Sequence, residues 1–270
     1  MTDASTTNRT KALAERVSRE KVAHDETDVL AESHRLKDKF GLVFSAPHIQ
    51  RLDRTWEESF VDVRGLTILD YGCGRGELGL DLCRRGATVR GLDISESYVG
   101  EANREARIQG LSEQRAFFEA GDAHVMKYPD QYFDLVVGFG ILHHLDMNCA
   151  FAEIFRVLKP GGAALFKEPL IGPPWMRIFR ALTPKARTVD ERPLDEATLR
   201  KLDRMFHVRS SYYGLFLPGL AASLSIVAPR GNFTGLFGLV DRVDQALGRA
   251  KLTRSWHQYV MLRLERPVTP

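Results

Sequence analysis

The run Ile68-Leu69-Asp70-Tyr71-Gly72-Cys73-Gly74-Arg75-Gly76-Glu77 is a short apolar strand feeding a glycine-rich turn, with the helix-forming segment Leu78 to Cys83 behind it. Glycine reaches backbone angles closed to other residues, and the first N–H groups of a helix lack an intrahelical partner, so such a turn presents donors at close range to a ligand. A second apolar strand, Ala87 to Asp93, ends in a carboxylate about twenty residues after the turn, the spacing at which an acid reaches ribose hydroxyls. An adenosine-type cofactor is implied. Glu77 stands where a dinucleotide fingerprint has its third glycine, and a carboxylate beside two phosphates is repulsive. The spacing therefore favours a cofactor without phosphate and with a cationic or amino-acid end, which describes S-adenosylmethionine.

Three more residues could move protons. His143 and His144 follow the apolar strand Phe133 to Gly138, and an imidazole there could deprotonate a hydroxyl or orient a substrate, since histidine titrates near neutral pH. Glu168 precedes Pro169 at the end of another strand, and in an apolar pocket its carboxylate would gain proton affinity and act as a base. The structural alternatives are a histidine bonded to a backbone carbonyl, and a salt bridge from Glu168 to Lys167, Arg177 or Arg180.

To position these residues the chain needs strands alternating with helices. Strands are expected at Thr67–Tyr71, Thr88–Asp93, Ala116–Ala120, Phe133–Gly138 and Gly162–Lys167, with Val208 to Tyr213 and Gln258 to Leu264 supplying the last two. The pattern is that of a parallel sheet covered on both faces. Residues 1–60 read as a polar tail and helical cap, with a helix from Ile49 to Phe60; 61–168 as the cofactor-binding core; and 169–270 as acceptor-binding excursions, lid and final strands. One excursion, Pro169 to Pro193, is proline-stiffened and basic, and either clamps an anion or forms a solvated face; Trp175, Phe179, Tyr212, Tyr213, Phe216 and Leu217 are candidate pocket walls. The other, Leu215 to Ser255, includes an amphipathic run from Val240 to Leu252.

In its motifs the chain resembles the class I S-adenosylmethionine-dependent methyltransferases. Ile68 to Gly76 looks like that family's first motif, Gly91-Leu92-Asp93-Ile94-Ser95 like its second, and Ala120-Gly121-Asp122-Ala123 like its third. Phe133 to Gly138 with Ile141-Leu142-His143-His144-Leu145 resembles the fourth strand and its loop, and Arg156 to Gly162 the turn before the fifth strand. The resemblance implies a Rossmann-like doubly wound α/β sheet of seven strands, mostly parallel with an antiparallel last strand, plus N-terminal helices and a lid insertion. It also implies that Asp70, Gly72 and Gly74 line the methionine end of the cofactor, that Asp93 takes the ribose hydroxyls, that Ile94 packs on adenine, and that Asp122 and Ala123 meet the adenine edge. For Asp70 a turn-capping role is the alternative. Tyr71 and Phe139 fall at the same site, where packing alone is their alternative.

Over this portion the chain is similar to the ubiquinone/menaquinone-biosynthesis group and to natural-product methyltransferases. The expected reaction is methyl transfer from S-adenosyl-L-methionine to a small, largely apolar metabolite: a quinone, phenol, polyketide or terpenoid. The alternatives are carbon methylation of a prenyl diphosphate with Glu168 as base, which magnesium dependence would favour, a methyltransferase-fold cyclase, and an RNA or protein methyltransferase. The last is disfavoured by 38 basic against 35 acidic residues in 270, a balance that predicts no nucleic-acid footprint, and by Gly138-Phe139-Gly140 where amino-group transfer commonly shows an Asn- or Asp-Pro-Pro-aromatic motif. Three cysteines without C-x-x-C spacing predict neither a disulfide framework nor a metal site and fit a reducing cytoplasm. No stable membrane insertion is expected, because the longest apolar stretch, Gly214 to Ala228, is short and contains Pro218. The N-terminal arm is expected either to cap the pocket or to swap between subunits of a homo-oligomer.

Overall fold

A computed structural model describes residues 14–22, 35, 37–172, 192–248 and 250–268. The seven strands are β1 (Thr67–Tyr71), β2 (Thr88–Asp93), β3 (Ala116–Ala120), β4 (Phe133–Phe139), β5 (Leu158–Pro169), β6 (His207–Tyr213) and β7 (Tyr259–Glu265). They form one sheet in the order β3-β2-β1-β4-β5-β7-β6, in which β7 runs antiparallel to both β5 and β6 and every other pairing is parallel. This is the expected doubly wound architecture. The strand order reverses between β1 and β4, so the loops after these strands open a crevice at their carboxyl ends.

Side chains alternate between two cores because the strand period is two. Ile68, Leu135, Val137, Ala163 and Leu165 enter one cluster together with Leu52 and Trp56 of one helix, Phe60 just past its end, and Leu80 and Leu82 of another helix. Leu69, Tyr71, Val136, Ala164 and Phe166 enter the opposite cluster with Phe151 and Ile154. A sheet covered on both faces needs such continuous apolar strands.

The described helices are α1 (residues 14–22), α2 (Gly41–Phe44), α3 (Pro47–Glu58), α4 (Glu77–Arg84), α5 (Glu96–Ile108), α6 (Met147–Val157), α7 (Glu196–Leu202), α8 (Leu217–Val227) and α9 (Thr234–Gly248). Helix α3 starts two residues before the expected Ile49, because Pro47 at the first turn presets the helical φ. Strand β5 is longer than Gly162–Lys167 at both ends and pairs with β4 through a register shift between Phe133 and Leu135. Helix α9 covers Thr234 to Gly248 rather than Val240 to Leu252, and residues Lys251–Trp256 form a separate 3₁₀ turn.

The insertion between β6 and β7 is a small cap of its own. Phe40, Val43 and Ala46 pack against Leu217, Ala221 and Phe237. Two carboxylates of α9 fasten it. Arg51 donates to both oxygens of Asp241 at 3.0 Å while its guanidinium lies 5.2 Å over the Tyr213 ring. Asp244, 1% exposed, accepts from the backbone N–H groups of Leu215, Phe216 and Leu217 at 2.9 to 3.1 Å, satisfying the amino end of α8. Asp244→Ala leaves these buried donors without an acceptor, at about 1–3 kcal/mol. A fall in Tm of several degrees is expected by calorimetry, with Asp244→Asn losing less.

Candidate cofactor and active site

The glycine turn after β1 is tied to β2. Gly72 and Cys73 donate their N–H groups to Leu92 O, and Gly74 N–H donates to Asp93 Oδ2 at 2.8 Å. Gly72 has φ +75°, and a Cβ there would fall 2.7 Å from Ile141, so the turn and the loop after β4 touch at this point. Gly74 has φ +51°, and a Cβ there would meet no protein atom, so its backbone is open to a ligand.

A cavity of about 220 Å³ lies over this turn. Gly72, Gly74, Asp93, Ile94, Asp122, Ala123 and Phe139 all line it, together with His144. These residues come from the ends of β1, β2, β3 and β4, so four separate motifs converge on one space. Asp70 and Tyr71 stand behind the wall. Asp70 is buried and accepts from Gly79 N–H at 2.9 Å in the first turn of α4, which is the turn-capping role. Tyr71 is fully buried, donates its hydroxyl to Ala123 O at 2.7 Å and meets the edge of Phe166.

Asp93 carries two structural bonds, from Gly74 N–H and from Ser95 N–H at 3.0 Å, and each of its oxygens keeps a further lone pair. Asp122 Oδ1 is held by His124 through both the backbone N–H, at 2.8 Å, and the ring Nδ1, at 2.6 Å. Burial pushes this carboxyl's pKa up, and the bonds from His124 outweigh it and hold the group below its ordinary value. His124 Nε2 accepts Asp146 N–H at 2.9 Å, which places the ring proton on Nδ1. The wall therefore presents fixed carboxylates where a ribose and an exocyclic amine would lie.

Glu168 does not project into this cavity. It is fully buried, Oε1 accepts from Ile141 N–H at 2.8 Å and Leu142 N–H at 2.9 Å, and Oε2 lies 2.8 Å from His143 Nδ1. Of the three salt-bridge partners named for it, Lys167 pairs instead with Asp53 and sits 4.6 Å from the centre of the Phe139 ring, while Arg177 and Arg180 lie outside the described residues. The loop after β4 supplies three donors within reach of one strand-end carboxylate, and these fix its direction. His143 is not among the residues that line the cavity, and none of the described residues bonds its Nε2. Its ring is 4.1 Å from that of His144, whose Nδ1 lies 3.2 Å from Glu20 Oε2.

Several cavity residues were not singled out from the sequence, although Leu92 and Ile141 lie inside the motifs quoted above. Arg16, Val17 and Glu20 of α1 roof the site, and Leu92, Tyr98, His124 and Ile141 complete its wall. Glu20 is a buried acid on a charged helix with sparse apolar positions, which no spacing rule marks. His124, two residues past Asp122, was findable only as part of the third motif. Of the candidate pocket walls, Tyr213 and Leu217 are buried in packing, Tyr212 is half-buried and Phe216 exposed, and none of the four lines this cavity. Trp175 and Phe179 lie outside the described residues.

Comparison with known proteins fits this geometry. Residues 68–162 match a family model described as a methyltransferase domain. The ubiquinone biosynthesis O-methyltransferase of Pseudomonas fluorescens is 32% identical over 137 residues, covering 50% of this chain and 58% of that protein. The curated relatives it matches are covered over 26% to 64% of their own length. The crystal structure of the [4+2]-cyclase SpnF has a TM-score of 0.54 at 26% identity, covering 82% of each chain. The geranyl diphosphate C-methyltransferase of Streptomyces coelicolor A3(2), solved with Mg2+, geranyl-S-thiolodiphosphate and S-adenosyl-L-homocysteine, has a TM-score of 0.57 at 18% identity, covering 81% and 77%, and shows the same fold.

Burial, with a smaller contribution from Asp93, raises the Asp70 carboxyl from 3.8 to about 7, against the lowering effect of its bond from Gly79. Between these two values the folded protein holds a proton that the unfolded chain has lost, so this group's contribution to stability falls as pH rises from about 4 to about 7. Asp70→Asn removes that dependence. The Tm of the variant relative to the native protein should rise between pH 5 and 8, and an offset independent of pH would place the Asp70 carboxyl near its ordinary value.

Proposed function

As a member of the class I S-adenosylmethionine-dependent methyltransferases, this chain starts from a known donor chemistry, and we propose that it passes the activated methyl group to a small, largely apolar metabolite. The observation that carries the reading is the convergence of Gly72, Gly74, Asp93, Ile94, Asp122, Ala123 and Phe139 on one cavity. In this reading Asp93 accepts the two ribose hydroxyls and Asp122 accepts from the adenine amine through Oδ2, with Oδ1 retained by His124. The turn at Gly72 and Gly74 lies along the methionine end. The bound cofactor supplies a sulfonium methyl, and in-line displacement needs only that an acceptor be held against it with water excluded. Helix α1 supplies part of that exclusion through Arg16, Val17 and Glu20.

We assign proton removal from the acceptor to His143, with Glu168 as its positioning residue. A buried carboxylate at 2.8 Å from Nδ1 holds the ring proton there and leaves the lone pair on Nε2. Glu168 has its oxygens engaged by three donors, so carbon methylation with Glu168 as direct base finds no support in this arrangement. A cyclase that keeps the cofactor site as scaffold is the second reading, favoured by the likeness to SpnF; formation of S-adenosyl-L-homocysteine during turnover separates the two.

Calorimetric titration with S-adenosyl-L-methionine and S-adenosyl-L-homocysteine should show saturable binding. Asp93→Ala should weaken it at least tenfold, and near-native affinity would remove the ribose assignment. Labelling a metabolite extract with methyl-labelled cofactor should mark a small apolar product. With that product as guide, His143→Ala should lower kcat by about 10²–10⁴ with cofactor affinity unchanged. Glu168→Gln should shift the pH profile of kcat as well as its height, which a purely structural role would not do.

A further inference from the structure

Eight of the sixteen large hydrophobic side chains exposed among the described residues fall within residues 216–256, the insertion between β6 and β7. Helix α9 turns Phe237, Asp241 and Asp244 inward. Leu236, Leu239 and Val243, spaced i, i+3 and i+7, form a second apolar stripe that remains exposed. Helix α8 ends in exposed Ile226 and Val227, and the following 3₁₀ turn holds out Leu252, 91% exposed, and Trp256. A contiguous segment that leaves this much apolar surface in water marks a contact face.

Charge identifies what the face meets. From Gly214 to Gln258 the sequence has five basic residues, Arg230, Arg242, Arg249, Lys251 and Arg254, and two acidic ones, Asp241 and Asp244. Both acids are buried and engaged, one by Arg51 and one by the amino end of α8. The insertion therefore offers no exposed carboxylate of its own, while Arg230 and Arg242 stand in solvent. A second copy of the chain seated here would bring like charges together. An anionic surface would not.

We propose that residues 216–256 dock the protein on an anionic lipid surface. The stripe of α9, the end of α8 and the Leu252/Trp256 turn enter the boundary between headgroups and acyl chains, and the arginines meet lipid phosphate. The contact proposed is with one face of the bilayer, and among the described residues no helix is long and apolar enough to cross a membrane. The proposal stands on surface chemistry alone and does not depend on the identity of the methyl acceptor.

The test is co-sedimentation of the full chain with phosphatidylcholine vesicles, alone or containing about a third phosphatidylglycerol. Binding is expected to be at least fivefold stronger to the anionic vesicles, to weaken with added salt, and to be lost in the double variant Leu239→Glu/Val243→Glu. Arg242→Glu should weaken it roughly fivefold or more. Affinity for S-adenosyl-L-homocysteine reports that each variant is folded, and if the double variant loses it, Arg242→Glu and the salt series decide. Equal binding to both vesicle types, or native binding by a folded double variant, overturns the proposal. So does a dimer in light scattering that the double variant dissolves while the native chain ignores vesicles, because the face would then belong to a second copy.

Discussion

The site depends on one repeated interaction, in which a carboxylate at or just beyond a strand end accepts backbone N–H groups from a loop it must hold. Asp70 takes Gly79, Asp93 takes Gly74 and Ser95, Asp122 takes His124, and Glu168 takes Ile141 and Leu142. Loops at the carboxyl ends of parallel strands have no sheet partners for their amides, and a buried amide without an acceptor is costly. An acid at each strand end solves this locally. The same bonds fix the loops in the geometry that a cofactor requires, so fold stability and site preorganisation are one constraint here.

This explains why the residues of the cavity wall were largely legible in the sequence while the direction of Glu168 was not. Gly72, Gly74, Asp93 and Asp122 sit at positions set by strand length and turn chemistry, which spacing along the chain records. The direction of Glu168 is a three-dimensional fact. Its neighbours Lys167 and Pro169 suggest a rim position and an ion pair, whereas the strongest donors in reach belong to a loop 25 to 27 residues away. The sheet topology followed from alternation of apolar strands with helices, and the extension of β5 did not, because Lys159-Pro160-Gly161 reads as a turn by composition yet pairs in the sheet. Helix α1 roofs the cavity through only three residues, too few to leave a periodic signature.

The paired histidines show how the loop after β4 converts backbone order into chemistry. His143 and His144 are adjacent in sequence, yet each is held at Nδ1 by a different buried acid, Glu168 from the sheet and Glu20 from α1. One ring is thus referenced to the rigid core and the other to the roof. Through Glu168 the His143 ring is tied to β5, a strand paired on both sides.

The insertion between β6 and β7 shares no residue with the cofactor cavity. It is fastened at the far edge of the sheet through Arg51, Asp241 and Asp244, against α3 and β6. The strand order places three strands, β4, β5 and β7, between β1 and β6, so the exposed stripe of α9 and the glycine turn sit on separate parts of one frame. Using the two buried acids as internal fasteners also leaves only cations on the outer side of the insertion, so the interactions that hold this cap to the sheet give it its outward charge.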